Sequence, residues 1–238
     1  MGKAPAIALV PGVWRIPTMP SDGINSFVLV DDDGQATLID GGLPNKWQLV
    51  ANALGYLGIG PDDVTRILST HAHSDHAGGL AKLKTLTGAP VSAHVEDAPH
   101  LRSGQAPSID PRVRFGKYIQ RWVSFPAVAV EEELHDGDVL PIAGGMRIVH
   151  TPGHTPGHIS MLHESSGVLI TGDAIHNWRG KIGLAFKWFG HDIDLTAKTV
   201  HRLGELEYDL VAFTHGPEMR VDAREAVRSF LRAQQVAS

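Results

Sequence analysis

Residues 68–80 read Leu-Ser-Thr-His-Ala-His-Ser-Asp-His-Ala-Gly-Gly-Leu, and four side chains able to bind a metal fall within six positions: His71, His73, Asp75 and His76. Neutral imidazoles with a carboxylate suit zinc or a similar divalent ion. An apolar run at 64–68 leads in as a short buried strand, and Ala77, Leu80 and Leu83 recur at helical spacing on the way out. Alternate residues of a strand share a face, so His71 and His73 point to one side. A turn after Ser74 brings Asp75 and His76 back toward the same point. A solvated polar turn has no need of ligand types at this density.

Three further candidates follow: His154 in Thr-Pro-Gly-His-Thr-Pro-Gly-His (151–158), Asp173 in Gly-Asp, and His215 in Thr-His-Gly-Pro. Each lies just beyond an apolar strand and beside Gly or Pro, which allow the sharp exit a metal-facing residue needs. Seven ligands suffice for two divalent ions. His71, His73 and His154 would hold one, Asp75, His76 and His215 the second, and Asp173 would bridge them with its two carboxylate oxygens. Each ion then keeps a position open for water, as catalytic zinc does. Zinc is the first choice, with iron or manganese as alternatives. Of the fourteen histidines, five are assigned in this way; His158 is read as supporting the site, and most others as surface or strand residues.

The elements that must position these groups are mainly strands. Residues 7–10, 13–16, 25–30 and 36–39 are apolar or alternating, with turns at Pro11-Gly12 and 31–34. Residues 46–57 place Trp47, Val50, Leu54 and Leu57 on one helical face. The pattern after the first motif predicts a helix over 76–86, a strand at 90–94 and a short helix over 95–102. Residues 103–126 are broken by Gly, Ser and Pro and read as an insertion, with a short helix carrying Val113, Tyr118, Ile119 and Trp122. Strands are expected at 127–130, 146–150, 159–162, 168–171 and 210–214. Residues 175–193 read as a long loop, 194–206 as a helix, and the last helix starts at a capping box, Asp222-Ala-Arg-Glu225. No linker divides the chain, so 1–238 is expected to be one α+β domain, two sheets face to face with helices outside.

Composition narrows the setting. The chain has 238 residues, ordinary hydrophobic and charged content (42% and 20%) and a net charge of −5, which argues against general nucleic-acid binding. It has no cysteine, so any metal must be held by His, Asp or Glu. There is no apolar stretch of the roughly 18 residues that span a membrane, and the N-terminus has too short an apolar core for a secretory signal. A cytoplasmic protein acting on a small molecule, without nucleic-acid or membrane partners, is the expectation; the oligomeric state is left open, a homodimer included.

HAHSDH, the lone His in TPGHTPGH, Gly-Asp and Thr-His-Gly, in this order, resemble the metallo-β-lactamase superfamily from about residue 12 to 220. The resemblance implies an αββα sandwich of two mixed sheets with the metals at one edge. It also matches Asp40, in Ile-Asp-Gly-Gly, to a structural carboxylate near the site. Asp173 stands where many true β-lactamases carry Cys, which resembles the two-metal hydrolases. TPGHTPGH is similar to glyoxalase II and to acyl-homoserine lactonases. Only 23 residues follow His215, too few for the helical domain of glyoxalase II. The lactonases carry Tyr three residues after the bridging Asp, where this chain has His176.

Together these imply a dinuclear hydrolase in which a bridging hydroxide attacks an ester, thioester or lactone. Asp75 would orient the nucleophile or pass its proton to the leaving group, and His176 would donate a hydrogen bond to substrate. Trp178, Phe186, Trp188 and Phe189, with cations at Arg179, Lys181 and Lys187 and a second basic stretch over 101–123, are expected to line an apolar pocket with a cationic rim. A mononuclear iron oxygenase of the persulfide dioxygenase kind, a β-lactam-hydrolysing enzyme and a non-catalytic metal-binding protein are the alternatives.

Overall fold

A computed structural model describes residues 4–120 and 123–237. Seven strands lie side by side in chain order: β1 Ile7–Val10, β2 Val13–Pro17, β3 Asn25–Val30, β4 Ala36–Ile39, β5 Val64–Leu68, β6 Val91–His94 and β7 Glu132–Leu134. The first four pair antiparallel and the last four parallel, so the sheet is mixed. A second sheet contains β8 Val139–Leu140, β9 Met146–His150, β10 Ile159–His163 and β11 Val168–Ile170. A separate ribbon follows, β12 Ile175–Trp178 and β13 Lys181–Leu184, before β14 Leu210–Ala212 joins the second sheet parallel to β11. The helices are α1 Trp47–Leu57, α2 Ser74–Ala77, α3 Leu80–Thr87, α4 Ala98–Ser103, α5 Gly116–Ile119, α6 Ile193–Thr199 and α7 Ala223–Ala237.

The layering follows from the two-residue period of the strands. In β3, Phe27 and Leu29 enter the core between the sheets while Val28 joins the core beneath α1 and α3. In β4 and β5, Ile39 and Leu68 face the second sheet, and Leu38 and Ile67 face the helices. On the other side, Val168 and Ile170 of β11 meet the inter-sheet core, and Leu169 packs with Val227 and Leu231 of α7. Central strands buried on both faces explain the continuous apolar runs in the sequence. The order is helices, sheet, sheet, helices, as expected for the αββα sandwich. Among the described residues no helix is long and apolar enough to cross a membrane.

Several local expectations are corrected. The helix expected over 76–86 is two, α2 and α3, broken at Gly78-Gly79. The backbone there packs on the Gly41-Gly42 turn, and a Cβ on Gly79 would lie 2.1 Å from the Gly41 carbonyl oxygen. The strand expected at 127–130 forms instead at β7. Val128 and Val130 are buried in the helix-side core, and the Val128 amide bonds to Leu101, so their apolar character serves packing on α4 rather than a ladder. The 113–122 helix shortens to α5, because Phe115 at its start has φ of 67°; Arg121 and Trp122 lie outside the described residues. The 175–193 loop contains the ribbon. The helix expected over 194–206 is α6 followed by a tighter turn, Val200–Glu205. Asp222 has φ of 50°, not the extended backbone of a capping-box residue.

Candidate metal centre

β5 runs parallel between β4 and β6, and the chain leaving its carboxyl end carries the first motif. His73 is extended (φ −118°, ψ 155°) and immediately precedes α2, whose single turn carries Asp75 and His76. His71, His73 and His76 are 1%, 3% and 0% exposed, so burial leaves each ring one setting. Asp40, just past β4, fixes two of them. Its carboxylate accepts from the Thr70 amide and hydroxyl (2.8 and 2.7 Å) and meets His76 Nδ1 at 2.9 Å. Thr70 Oγ1 is in turn 3.0 Å from His71 Nδ1. The structural role implied for Asp40 by the resemblance has this physical content.

The other three candidates come from the second sheet. His154 lies between β9 and β10, Asp173 three residues past β11, and His215 three past β14. All seven side chains meet at one edge of the sandwich. His73 Nδ1 is 3.0 Å from His154 Nε2. Asp173 Oδ2 lies 3.3 Å from His154 Nε2 and 3.1 Å from His215 Nε2, while its Oδ1 is 3.3 Å from His76 Nε2. Asp75 Oδ2 is 3.5 Å from both His76 Nε2 and His215 Nε2. Potential ligand atoms of His71, His73 and His154 lie within 4.8 Å of one another, as do those of Asp75, His76 and His215. Asp173 touches members of both trios.

The electrostatics suit cations. Burial pushes the His71 and His73 imidazoles well below their usual range, which leaves them neutral and able to ligate. Burial acts against charge at Asp75 and Asp173 too, but the facing histidines His76 and His215 hold both carboxyls below their usual range. In the same way the carboxylates overcome burial to raise His76 well above its ordinary value and His215 to about 9. The protein without metal thus keeps protons between these carboxylates and imidazoles, where a cation would replace them. His71 Nε2 and His76 Nε2 are buried with no hydrogen-bond partner. An orphaned nitrogen on His71, and one on His76 that faces Asp173 and Asp75 without a hydrogen bond, fit divalent metal well beside two ionised carboxylates.

Three residues not singled out as ligands position the ligands. Asp97, fully buried, accepts from the Ala72 amide (2.8 Å), the Thr155 hydroxyl (2.7 Å) and the Gly157 amide (2.7 Å). It thereby joins the turn holding His71 and His73 to the loop holding His154. As a lone acid near a helix start it gave no sequence signal. His158 receives the Asp173 amide on Nε2 at 2.8 Å and touches Thr151 through Nδ1; burial lowers it to about 3, so it stays a neutral acceptor. Thr214 donates to Asp173 Oδ1 at 2.7 Å. A further trio, His94, Glu96 and His150, is within metal reach. Its two rings stack at 3.8 Å, however, so their in-plane lone pairs do not converge, and His150 Nε2 is 2.8 Å from the Pro156 carbonyl.

The ribbon carries the remaining candidates. Arg179 and Gly180 both have positive φ (53° and 78°), the conformation of a two-residue hairpin turn. His176 sits opposite Gly183, where a Cβ would fall 2.6 Å from the imidazole. The ring fills that gap and stacks on Phe186 at 4.5 Å and 10°. Phe186 also lies 5.9 Å from the His215 ring. Burial lowers His176, and its Nδ1 is buried without a partner. Trp178 packs edge-on to Phe186 at 6.3 Å but is half exposed. Trp188 and Phe189 are exposed; Trp188 borders an outer groove with Arg112 and Phe230. Of the four expected pocket aromatics, Phe186 lies against the His215 ring, Trp178 packs on Phe186 at the surface, and Trp188 and Phe189 are exposed. The 103–126 segment docks beside them: the Asp110 amide bonds to Gly190 and Arg112 pairs with Asp194.

Residues 20–215 match the family model of the metallo-beta-lactamase superfamily. The chain is 31% identical over 184 residues to an uncharacterised protein, YobT, of Bacillus subtilis (74% of this chain, 73% of that one). It is 30% identical over 212 residues to an N-acyl homoserine lactonase of a Bacillus species (84% and 74%). In fold it is similar to a variant metallo-beta-lactamase from Cronobacter sakazakii, with a TM-score of 0.74 at 22% identity over 98% of this chain and 97% of the other.

Proposed function

Because the chain belongs to the metallo-beta-lactamase superfamily, whose members are usually hydrolases, we propose that it is a dinuclear metal-dependent hydrolase of a small-molecule ester, thioester or lactone. The observation that carries this reading is the meeting of five imidazoles and two carboxylates at one sheet edge, with His71 Nε2 buried there without a hydrogen bond. His71, His73 and His154 would hold one ion and Asp75, His76 and His215 the other, with Asp173 shared. Bound there, divalent ions, zinc first, supply Lewis acidity and a water acidic enough to attack at neutral pH.

The protein's own groups supply the rest. Asp75 is the more open of the two carboxylates, at 29% side-chain exposure against 6% for Asp173. Its ionised oxygens accept the proton of the attacking water and return it to the leaving atom. The facing histidines keep Asp173 ionised, and Thr214 and His158 orient it by fixing its carboxylate and its amide. His176 is neutral and held flat on Phe186, and it donates a hydrogen bond to the substrate's carbonyl oxygen as negative charge develops there. The similarity to an N-acyl homoserine lactonase favours lactones as first substrates. A screen of lactones, thioesters, esters and β-lactams on zinc-loaded protein tests the reading. Turnover of none of them, or one iron per chain with oxygen consumption, would refute it.

A further inference from the structure

A cavity of about 550 Å³ opens beside the metal centre, and His154 belongs to both. Leu184 and Phe186 at the ribbon's exit form one wall; Ile193 and Ala197 of α6 form the other. Its inner end is buried: His154 is 1% exposed, and its Nδ1 has no hydrogen-bond partner although its Nε2 faces His73 and Asp173. Its mouth carries Lys187 and Lys198, both exposed. The nearest acid on the lining, Asp194, is held by Arg112 at 2.8 Å. Among the described residues neither lysine is in an ion pair. The cavity therefore runs from a buried polar nitrogen, past apolar walls, to two uncompensated cations in an otherwise acidic chain. Its volume suits a small ligand.

We propose that this cavity binds the distal part of the substrate, an apolar chain ended by a carboxylate. The inference rests on the hydrolase reading for what happens at the chain's other end. The apolar stretch lies between Phe186 and Ala197, and the carboxylate meets Lys187 and Lys198 at the mouth. The unpartnered His154 Nδ1–H is available to an acceptor on the same molecule, such as an amide carbonyl next to the reacting group.

Binding tests this without turnover. Octanoate and octanedioate are titrated calorimetrically into zinc-loaded protein and into a Lys187→Ala/Lys198→Ala double variant. Both probes offer one carboxylate to the metal centre, so only the second carboxylate distinguishes them. Octanedioate is expected to bind about tenfold tighter to the unaltered protein, roughly threefold for each exposed lysine. The preference should vanish in the double variant and shrink in 0.5 M salt. Equal affinities in the unaltered protein, no binding of either probe, or a preference that survives the double substitution would overturn the proposal. Matched thioesters with methyl and carboxylate tails separate the two readings. A preference for octanedioate with no thioester, ester or lactone hydrolysed refutes the hydrolase and leaves the cavity assignment standing. Hydrolysis without tail preference does the reverse.

Discussion

The metal-binding floor and the ribbon above it differ in how their key side chains are held. On the floor, His71, His73 and His76 are buried; the turn carrying His71 and His73 is tied at its backbone by Asp40 and Asp97, and Asp40 also meets the His76 ring. On the ribbon, His176 is held by one ring stack and by the absence of a Cβ at Gly183, and its neighbour Trp178 is half exposed. The floor is over-determined; the ribbon is held by a few contacts at its base, including Asn177 to Pro217. Reaction chemistry needs fixed geometry, whereas substrate choice is adjusted on surface segments with fewer constraints.

If the floor depends on its buried carboxylates, Asp97→Ala should be the most damaging change outside the ligands. It strands three donors in the interior, and we expect a loss of about 3–5 kcal/mol in unfolding free energy, with metal affinity weakened about 10- to 100-fold. Denaturant melts and zinc competition would measure both; a loss under about 1 kcal/mol would erase the contrast between floor and ribbon.

On the ribbon, His176→Phe should leave metal content unchanged and lower kcat/KM about 10- to 100-fold, the scale of one lost hydrogen bond in the transition state. His176→Tyr, which restores a donor, should recover part of it. Metal loss in His176→Phe would move this residue from ribbon to floor.

The floor also has a pH signature in the metal-free protein. His76 and His215 are raised above their unfolded values, His215 to about 9. Their contribution is complete below the unfolded histidine value near 6.5 and is lost as pH rises toward 9. His71, His73 and His158 are lowered, His158 to about 3. Folding keeps them neutral, so stability also falls as pH drops below about 6.5. Thermal melts of metal-free protein should therefore peak near that pH and decline on both sides. Zinc should flatten the alkaline limb by replacing the protons. An alkaline limb that is flat without metal would contradict the carboxylate–imidazole coupling described for the floor. The smallest effect is expected at Trp188, exposed and away from the centre: Trp188→Ala should change stability by less than about 0.5 kcal/mol and act, if at all, on KM.

The floor was also the more legible region. Four of its ligands fall within six residues, and each of the others comes within four residues of the end of an apolar strand, beside Gly or Pro, so type, spacing and strand period all point one way. Asp97 was not legible, because its work depends on Ala72, Thr155 and Gly157, which meet it only in the fold. The ribbon was missed because Arg179-Gly180 is a weaker hairpin signal than Asn-Gly, and because its strands are only four residues each. The break at Gly78-Gly79 was hidden for a related reason: the helical spacing of Ala77, Leu80 and Leu83 continues across it, while the cause lies in the Gly41 turn. Valines at 128 and 130 looked like a strand because apolar alternation does not say whether a helix or a neighbouring strand will cover it.

The most direct test of the central claim is the metal content of Asp173→Ala beside that of the unaltered protein, both loaded with zinc and freed of excess. With Asp173 shared between two ions, the unaltered protein should hold about two zinc per chain, and the variant should lose metal from both sites together with its hydrolytic activity. Two ions retained by Asp173→Ala would contradict the shared centre.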